Sequence, residues 1–180
     1  NIVPSTINMI SPLLEEYFYD PFGQRIKIKR NDSVNTIIYT PFKEFMQIRN
    51  VTGVYNFTYI YQDDVLVARV DPNGLKYFYH PDHLGSTALI TDDSTGGNVV
   101  ENTYYSPYGE ILGGGSKENF KLYTGQMKDF TCEYYYGARY YNPCTANFIQ
   151  PDPIVQQVYN PQNLNRYSYT WNNPYKYRDT

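Results

Sequence analysis

Tyr17-Phe18-Tyr19-Asp20-Pro21-Phe22-Gly23 is a phrase that this 180-residue chain uses more than once. It returns as Tyr77-Phe78-Tyr79-His80-Pro81, with two extra residues before Leu84-Gly85, and again as Tyr104-Tyr105-Ser106-Pro107-Tyr108-Gly109. Asp or Ser at the first turn position, Pro at the second and Gly at the fourth are the preferences of a type I reverse turn, with Pro presetting φ. Each copy therefore predicts a tyrosine strand, a turn and a second strand. Repetition of such a unit predicts an architecture in which each unit buries its face against the next.

Composition agrees. The 22 Tyr, 12 Gly and 12 Pro, with only 18% charged residues, describe a β protein. Alternation near period two runs through Ile26-Lys27-Ile28-Lys29, Thr36-Ile37-Ile38-Tyr39, Phe57 to Tyr61 and Val65 to Val70. Further turns are predicted at Asp71-Pro72-Asn73-Gly74 and Ser94 to Asn98, and a flexible link at Leu112 to Ser116. Helical pattern is scarce, confined to short segments near 12–17 and 153–159. The net charge of −3 and the absence of a Lys/Arg cluster argue against a nucleic-acid binder. The small basic group of Arg25, Lys27, Lys29 and Arg30 reads as the solvated face of a strand. No apolar run approaches the roughly 20 residues of a membrane helix. Beginning at Asn1 without Met or signal peptide and ending at Thr180, the chain reads as a part of a larger polypeptide.

From Tyr77 onward the match to a known family is close. Tyr79-His80-Pro81-Asp82-His83-Leu84-Gly85-Ser86-Thr87, Tyr105 to Glu110, Tyr123-Thr124-Gly125-Gln126, Tyr134 to Pro143, Phe148-Ile149-Gln150-Pro151-Asp152-Pro153 and Asn165-Arg166-Tyr167-Ser168-Tyr169 resemble the Rhs repeat-associated core. The phrase at Tyr17 resembles the YD repeats that precede that core. The resemblance covers about residues 14–180. It implies a mainly β fold in which antiparallel YD hairpins form a curled or spiralling sheet and the core curls inward as a plug. The expected organisation is an N-terminal segment over 1–16, YD-repeat hairpins over 17–76 and the core over 77–180. Function does not follow from fold alone. The implied roles are an extracellular or cell-surface scaffold that encloses, plugs or self-assembles, a filament or sheath subunit growing by strand addition, the autoproteolytic core of a toxin carrier, or a glycan-binding adhesin. Expected partners are further copies of the chain or the rest of a longer YD shell. No cofactor is implied.

The densest stretch, Tyr134-Tyr135-Tyr136-Gly137-Ala138-Arg139-Tyr140-Tyr141, reads as two tyrosine strands around a tight bend or bulge. Its rings would form cross-strand pairs worth about 0.2–1 kcal/mol each, and Arg139 can stack on an aromatic face. The alternative use is exposed rings of Tyr134, Tyr136 and Tyr140 stacking on sugar. Cys132, where the family phrase usually has Gly, and Cys144 flank the stretch. If Gly137-Ala138 makes a hairpin, residue 132 faces 143 and a disulfide is expected. If the stretch is one strand, its ends lie about 35–40 Å apart and no bond forms.

Chemistry has few seats. His80-Pro81-Asp82-His83 offers metal-ligand types, but these are the only two histidines and the family uses the phrase as a turn, so no metal is expected. Sequons at Asn31, Asn50 and Asn56 are candidate glycosylation sites, although 17 Asn and 22 Ser or Thr yield about two such triplets by chance. In toxin-bearing relatives two Asp-Pro-x-Gly phrases at the edge of the core supply an aspartic-protease-like pair, helped by an adjacent Arg. Arg178-Asp179 falls where the first such phrase would begin, Thr180 replaces its Pro, and the second carboxylate is missing. Ala146-Asn147 also replaces the family's Gly-Arg. The chain on this reading is not an enzyme.

Overall fold

The computed structural model describes residues 15–30, 33–39, 43–115, 121–129, 131–154 and 164–179. Nine strands make one antiparallel meander in chain order: β1 (Glu15–Tyr19), β2 (Arg25–Arg30), β3 (Ser33–Tyr39), β4 (Lys43–Asn50), β5 (Gly53–Gln62), β6 (Val65–Val70), β7 (Lys76–Pro81), β8 (Thr87–Asp92) and β9 (Val99–Asn102). The expected boundary at 76/77 falls at β7, which pairs with β6 on one side and β8 on the other, so the sheet runs through it. Residues 15–17, where a short helix was one expectation, lie in β1. The segment 155–163 and Asn31 lie outside the described residues.

The predicted turns form and share one geometry. In Asp20–Gly23, Asp71–Gly74, Asp82–Gly85 and Ser106–Gly109 the fourth-residue N–H donates to the first carbonyl, at 3.0, 2.9, 3.0 and 2.9 Å. Each of the four glycines sits at φ between +84° and +88°, the left-handed conformation that only glycine adopts without strain. Asp20 and Asp82 fasten their turns further, each Oδ1 accepting N–H groups two and four residues on. In the second copy the turn thus forms at Asp82–Gly85, and Pro81 stays in β7. The glycine four places along decides where the chain reverses.

One face of the sheet is apolar. Ile28, Ile37, Met46, Tyr59, Leu66, Tyr79 and Ile90 form its core, joined by Met127 from the following segment. Burying a side chain of this size contributes about 1.5–3 kcal/mol. Arg25 departs from the expected solvated strand face. The register shift opposite Phe18/Tyr19 breaks the alternation, so Arg25 joins Ile28 on the inner side and is fully buried.

The remaining strands are short. β10 (Tyr104–Tyr105) pairs with β11 (Ile111–Gly113), and β12 (Met127–Lys128), β13 (Tyr134–Tyr135), β14 (Tyr140–Asn142) and β15 (Asn147–Phe148) form a small antiparallel sheet. This plug has its own core of Leu122, Tyr123, Tyr134, Tyr141, Phe148 and Tyr169. Two ion pairs tie it to the large sheet: Arg25 to Asp129 at 2.6 Å and Glu44 to Lys121 at 3.0 Å. No described helix is long and apolar enough to cross a membrane.

Burial of so many phenols makes the fold sensitive to alkali. Desolvation pushes Tyr79 up to about 12 and raises Tyr59, Tyr105, Tyr123, Tyr134, Tyr141 and Tyr169 as well. An unfolded tyrosine titrates near pH 10. The stability these neutral phenols contribute is therefore complete below about pH 10 and is lost as pH rises through their folded values. Tyrosinate absorbance followed with circular dichroism should show the buried set ionising only as the fold is lost. Ionisation of all 22 near pH 10 with the fold retained would contradict this.

Candidate functional site

The tyrosine stretch folds as a hairpin. Tyr134 pairs with Tyr141 and Tyr135 with Tyr140, and the Tyr136 N–H donates to the Arg139 carbonyl at 2.9 Å around Gly137-Ala138. Two of its hydroxyls, with that of Tyr123 from the preceding segment, seat the third copy of the repeated turn: Tyr123 donates to the Pro107 carbonyl at 2.8 Å, Tyr141 to Tyr108 at 2.7 Å and Tyr134 to Gly109 at 2.9 Å. Three tyrosines thus satisfy three successive carbonyls of one turn. The glycan-stacking alternative loses its rings here. Tyr134 is wholly buried, Tyr136 bonds Thr124 and Tyr169, and Tyr140 bonds the Tyr19 hydroxyl while its ring packs on Tyr17 and Tyr135.

Arg139, at the tip of this hairpin, organises a cleft of about 260 Å³. Its guanidinium lies 3.7 Å from the centroid of the Phe148 ring. It bonds Asp179 at 2.9 Å and Asp152 at 3.4 Å, so one cation gathers two carboxylates that stand far apart in sequence. The Arg166 Nε–H donates to the Asp152 carbonyl at 2.6 Å, and Trp171 and Tyr177 meet edge to face at 5.5 Å on the wall. Thr170, Trp171 and Asn172 all take left-handed φ, at 46°, 51° and 59°. Three such residues in a row store strain of the kind that clusters at functional sites.

This geometry corrects the expectation that the second carboxylate is missing. Asp152, from the phrase Pro151-Asp152-Pro153, is brought to the same guanidinium as Asp179. Arg178 lines the same cleft, and its Nη1 reaches the Leu84 carbonyl at 3.5 Å. The signal for Asp152 was in the sequence as the Asp-Pro of Asp152-Pro153, but its distance from Asp179 along the chain hid the partnership.

The other expected sites are placed as follows. His80 Nε2 lies 3.0 Å from the Thr91 hydroxyl, and the Asp82 Oδ1 atom already accepts the two backbone N–H groups of its turn. Among the described residues no group of three or more His, Cys, Asp or Glu could hold a metal ion. Asn56 is exposed and its Oδ1 accepts from Gln47, whereas the Asn50 Oδ1 fastens the β4–β5 turn through Thr52 and Gly53. Cys132 and Cys144 are exposed and free, and the expected bond is not formed in this structure. They sit in two different turns, Asp129–Cys132 and the turn built on Asn142, whose Oδ1 accepts from the Cys144 N–H.

A nine-stranded antiparallel meander of hairpins closed by one recurring turn, with a small tyrosine-locked sheet packed on its apolar face, defines a YD-shell structural domain. Residues 13–175 match the Teneurin YD-shell family model, and the chain belongs to that family. It is 30% identical over 166 residues to the tRNA3(Ser)-specific nuclease WapA of Bacillus spizizenii, and 24% identical over 186 residues to Teneurin-1 of Mus musculus. These alignments cover 88% and 96% of this chain but 7% of each relative. Among solved structures, TcdB2-TccC3 superposes with a TM-score of 0.73 at 23% identity, over 92% of this chain and 9% of that one. The Photorhabdus luminescens Tc holotoxin pore does so at 0.74 and 22%, over 94% and 9%. The reading of the chain as not an enzyme is overturned by the WapA relatives, which are named as tRNA nucleases.

Proposed function

We propose that this chain is the closing segment of a YD shell within a larger secreted or cell-surface protein of toxin type, and that Asp152 and Asp179 are a carboxylate pair that cuts the polypeptide beside the plug. The convergence of both on Arg139 carries this reading. Peptide hydrolysis by two carboxylates needs one ionised, to take a proton from the attacking water, and one protonated, to donate to the carbonyl oxygen and then to the leaving amine. Arg139 holds the two side chains in one place, and Phe148 fixes the plane of its guanidinium. The names of the WapA relatives support a setting in which the enclosed activity is RNA cleavage. Assembly by strand addition would use the open edges of the sheet at β1 and β9. The small share of each relative that the chain spans favours further strands of the same protein on those edges instead.

The test uses the whole protein that carries this segment, purified and incubated across pH, beside Asp152→Asn and Asp179→Asn. A specific fragment should appear in the parent and slow by about 10²-fold or more in each variant, with unchanged circular dichroism. Equal cleavage in all three, or an intact parent at every pH at which it stays folded, would overturn the reading.

A further inference from the structure

We infer that the Asp82–Gly85 turn is a positioning element of the carboxylate pair: Gly85, having no side chain, seats the guanidinium of Arg178, and the seated Arg178 fixes the next residue, Asp179, at Arg139. This role rests on the reading of Asp152 and Asp179 as a pair that cuts the chain. It makes cleavage conditional on the docking of the large sheet with the plug, because the seat belongs to the turn between β7 and β8.

Four turns share one geometry, and their glycines differ in what lies beside them. A Cβ added to Gly23 or Gly74 meets nothing within 4 Å, and one on Gly109 meets the Tyr123 ring, whereas one on Gly85 would lie 2.9 Å from the Arg178 Nη1 atom. The same nitrogen points to the Leu84 carbonyl of that turn. The turn is itself held firmly. The Ser86 side chain is fully buried and its hydroxyl accepts the Thr124 N–H at 3.1 Å. The Thr87 N–H donates to the Leu122 carbonyl at 3.1 Å, its hydroxyl donates to the Lys121 carbonyl at 2.8 Å, and Leu84 packs against the core of the plug. Residues 84–87 are thus a seam between sheet and plug, and Arg178 rests on it.

Asp179 needs such an anchor. Among the described residues the last backbone hydrogen bond of the C-terminal segment is donated by Tyr177, to the Asn173 carbonyl at 3.1 Å. Beyond it side chains hold the chain, Arg178 on the turn and Asp179 on Arg139. Consecutive Cα atoms lie about 3.8 Å apart, so fixing residue 178 limits where residue 179 can stand. Both line the cleft together with Asp152. Loss of the seat would let Asp179 drift, and a misplacement of about 1 Å at a reacting group can cost on the order of 10²-fold in rate.

The test compares the whole protein that carries this segment with its Gly85→Ala and Gly23→Ala variants, following cleavage by intact mass and stability by the urea midpoint. The two glycines stand at φ of +85° and +84°, so both substitutions strain the backbone alike. The Arg178 Nη1 atom is the end of a flexible side chain, so a Cβ on Gly85 pushes it off its seat with little further strain, and the two midpoints should fall equally. Cleavage should slow by about 10-fold or more in Gly85→Ala and keep the parental rate in Gly23→Ala. Arg178→Ala should slow it as much, with Gly85→Ala adding nothing on top, and Arg178→Lys, which keeps a donor for the Leu84 carbonyl, should recover most of the rate. Equal rates in the parent and Gly85→Ala, or losses that add in the double variant, would overturn the inference and leave the pair standing. A parent that stays intact would overturn the pair and this role with it, so the parent tells the two failures apart.

Discussion

Gly109→Ala is expected to cost about 2–5 kcal/mol of stability, while Gly23→Ala, at the same place in an equivalent turn, costs about 1–2 kcal/mol. Both glycines are left-handed, at φ +88° and +84°, so both substitutions carry the backbone penalty. Only Gly109 adds a collision. A Cβ there would lie 2.4, 2.6 and 2.8 Å from ring atoms of Tyr123, whereas one on Gly23 meets nothing within 4 Å. Tyr123 cannot retreat, because its hydroxyl is bonded to the Pro107 carbonyl and its ring packs on Tyr105, Tyr134 and Tyr169 at centroid distances of 5.8, 5.9 and 6.2 Å. Urea denaturation of the two variants measures the difference. Equal losses would mean that the plug does not press on the turn.

Asp129→Ala should cost about 3–5 kcal/mol, because it strips a carboxylate from a guanidinium that stays buried. The side chains of Arg25 and Asp129 are 0% and 1% exposed and 2.6 Å apart. The rings of Tyr135 and Tyr17, 4.0 and 5.1 Å from the guanidinium carbon, favour the cation but do not neutralise it. Replacing both partners, as Arg25→Met with Asp129→Leu, should recover most of the loss, since two apolar groups need no pairing. Asp71→Ala is a useful contrast. Its partner Arg69 lies two residues away in the same hairpin and both are slightly exposed, so water can make up part of the loss. The midpoint of chemical denaturation checks all three, and an Asp129→Ala loss no larger than that of Asp71→Ala would contradict the account.

Much of the fold was legible in the chain. The turn phrase at Asp20, Asp71 and Ser106 identified the reversals, because Pro fixes φ at the second position and Gly alone adopts the left-handed φ of the fourth without strain. The alternation in β2, β5 and β6 marked strands, and the tyrosine hairpin around Gly137-Ala138 was one of two readings the residues allowed. The tyrosine chemistry was legible only in part. A large ring with a hydroxyl fits either a sugar-facing surface or an interior with bonded hydroxyls, and residue type alone does not separate them.

The residues themselves determined part of the local grammar of this protein: the strands β2, β3, β5 and β6, the four-residue groups at Asp20, Asp71 and Ser106 that reverse the chain, and a glycine at the fourth place of each. These are short-range properties, set by sterics and by hydrogen bonds within a few residues. Tertiary structure alone decided that Arg25 turns inward at a bulge, that Tyr123, Tyr134 and Tyr141 seat the Ser106–Gly109 turn, and that Asp152 and Asp179 meet at Arg139. Each of those contacts joins positions separated by many residues. Their pairing follows from register and from how the plug packs on the inner face, and no local pattern of residues encodes that distance.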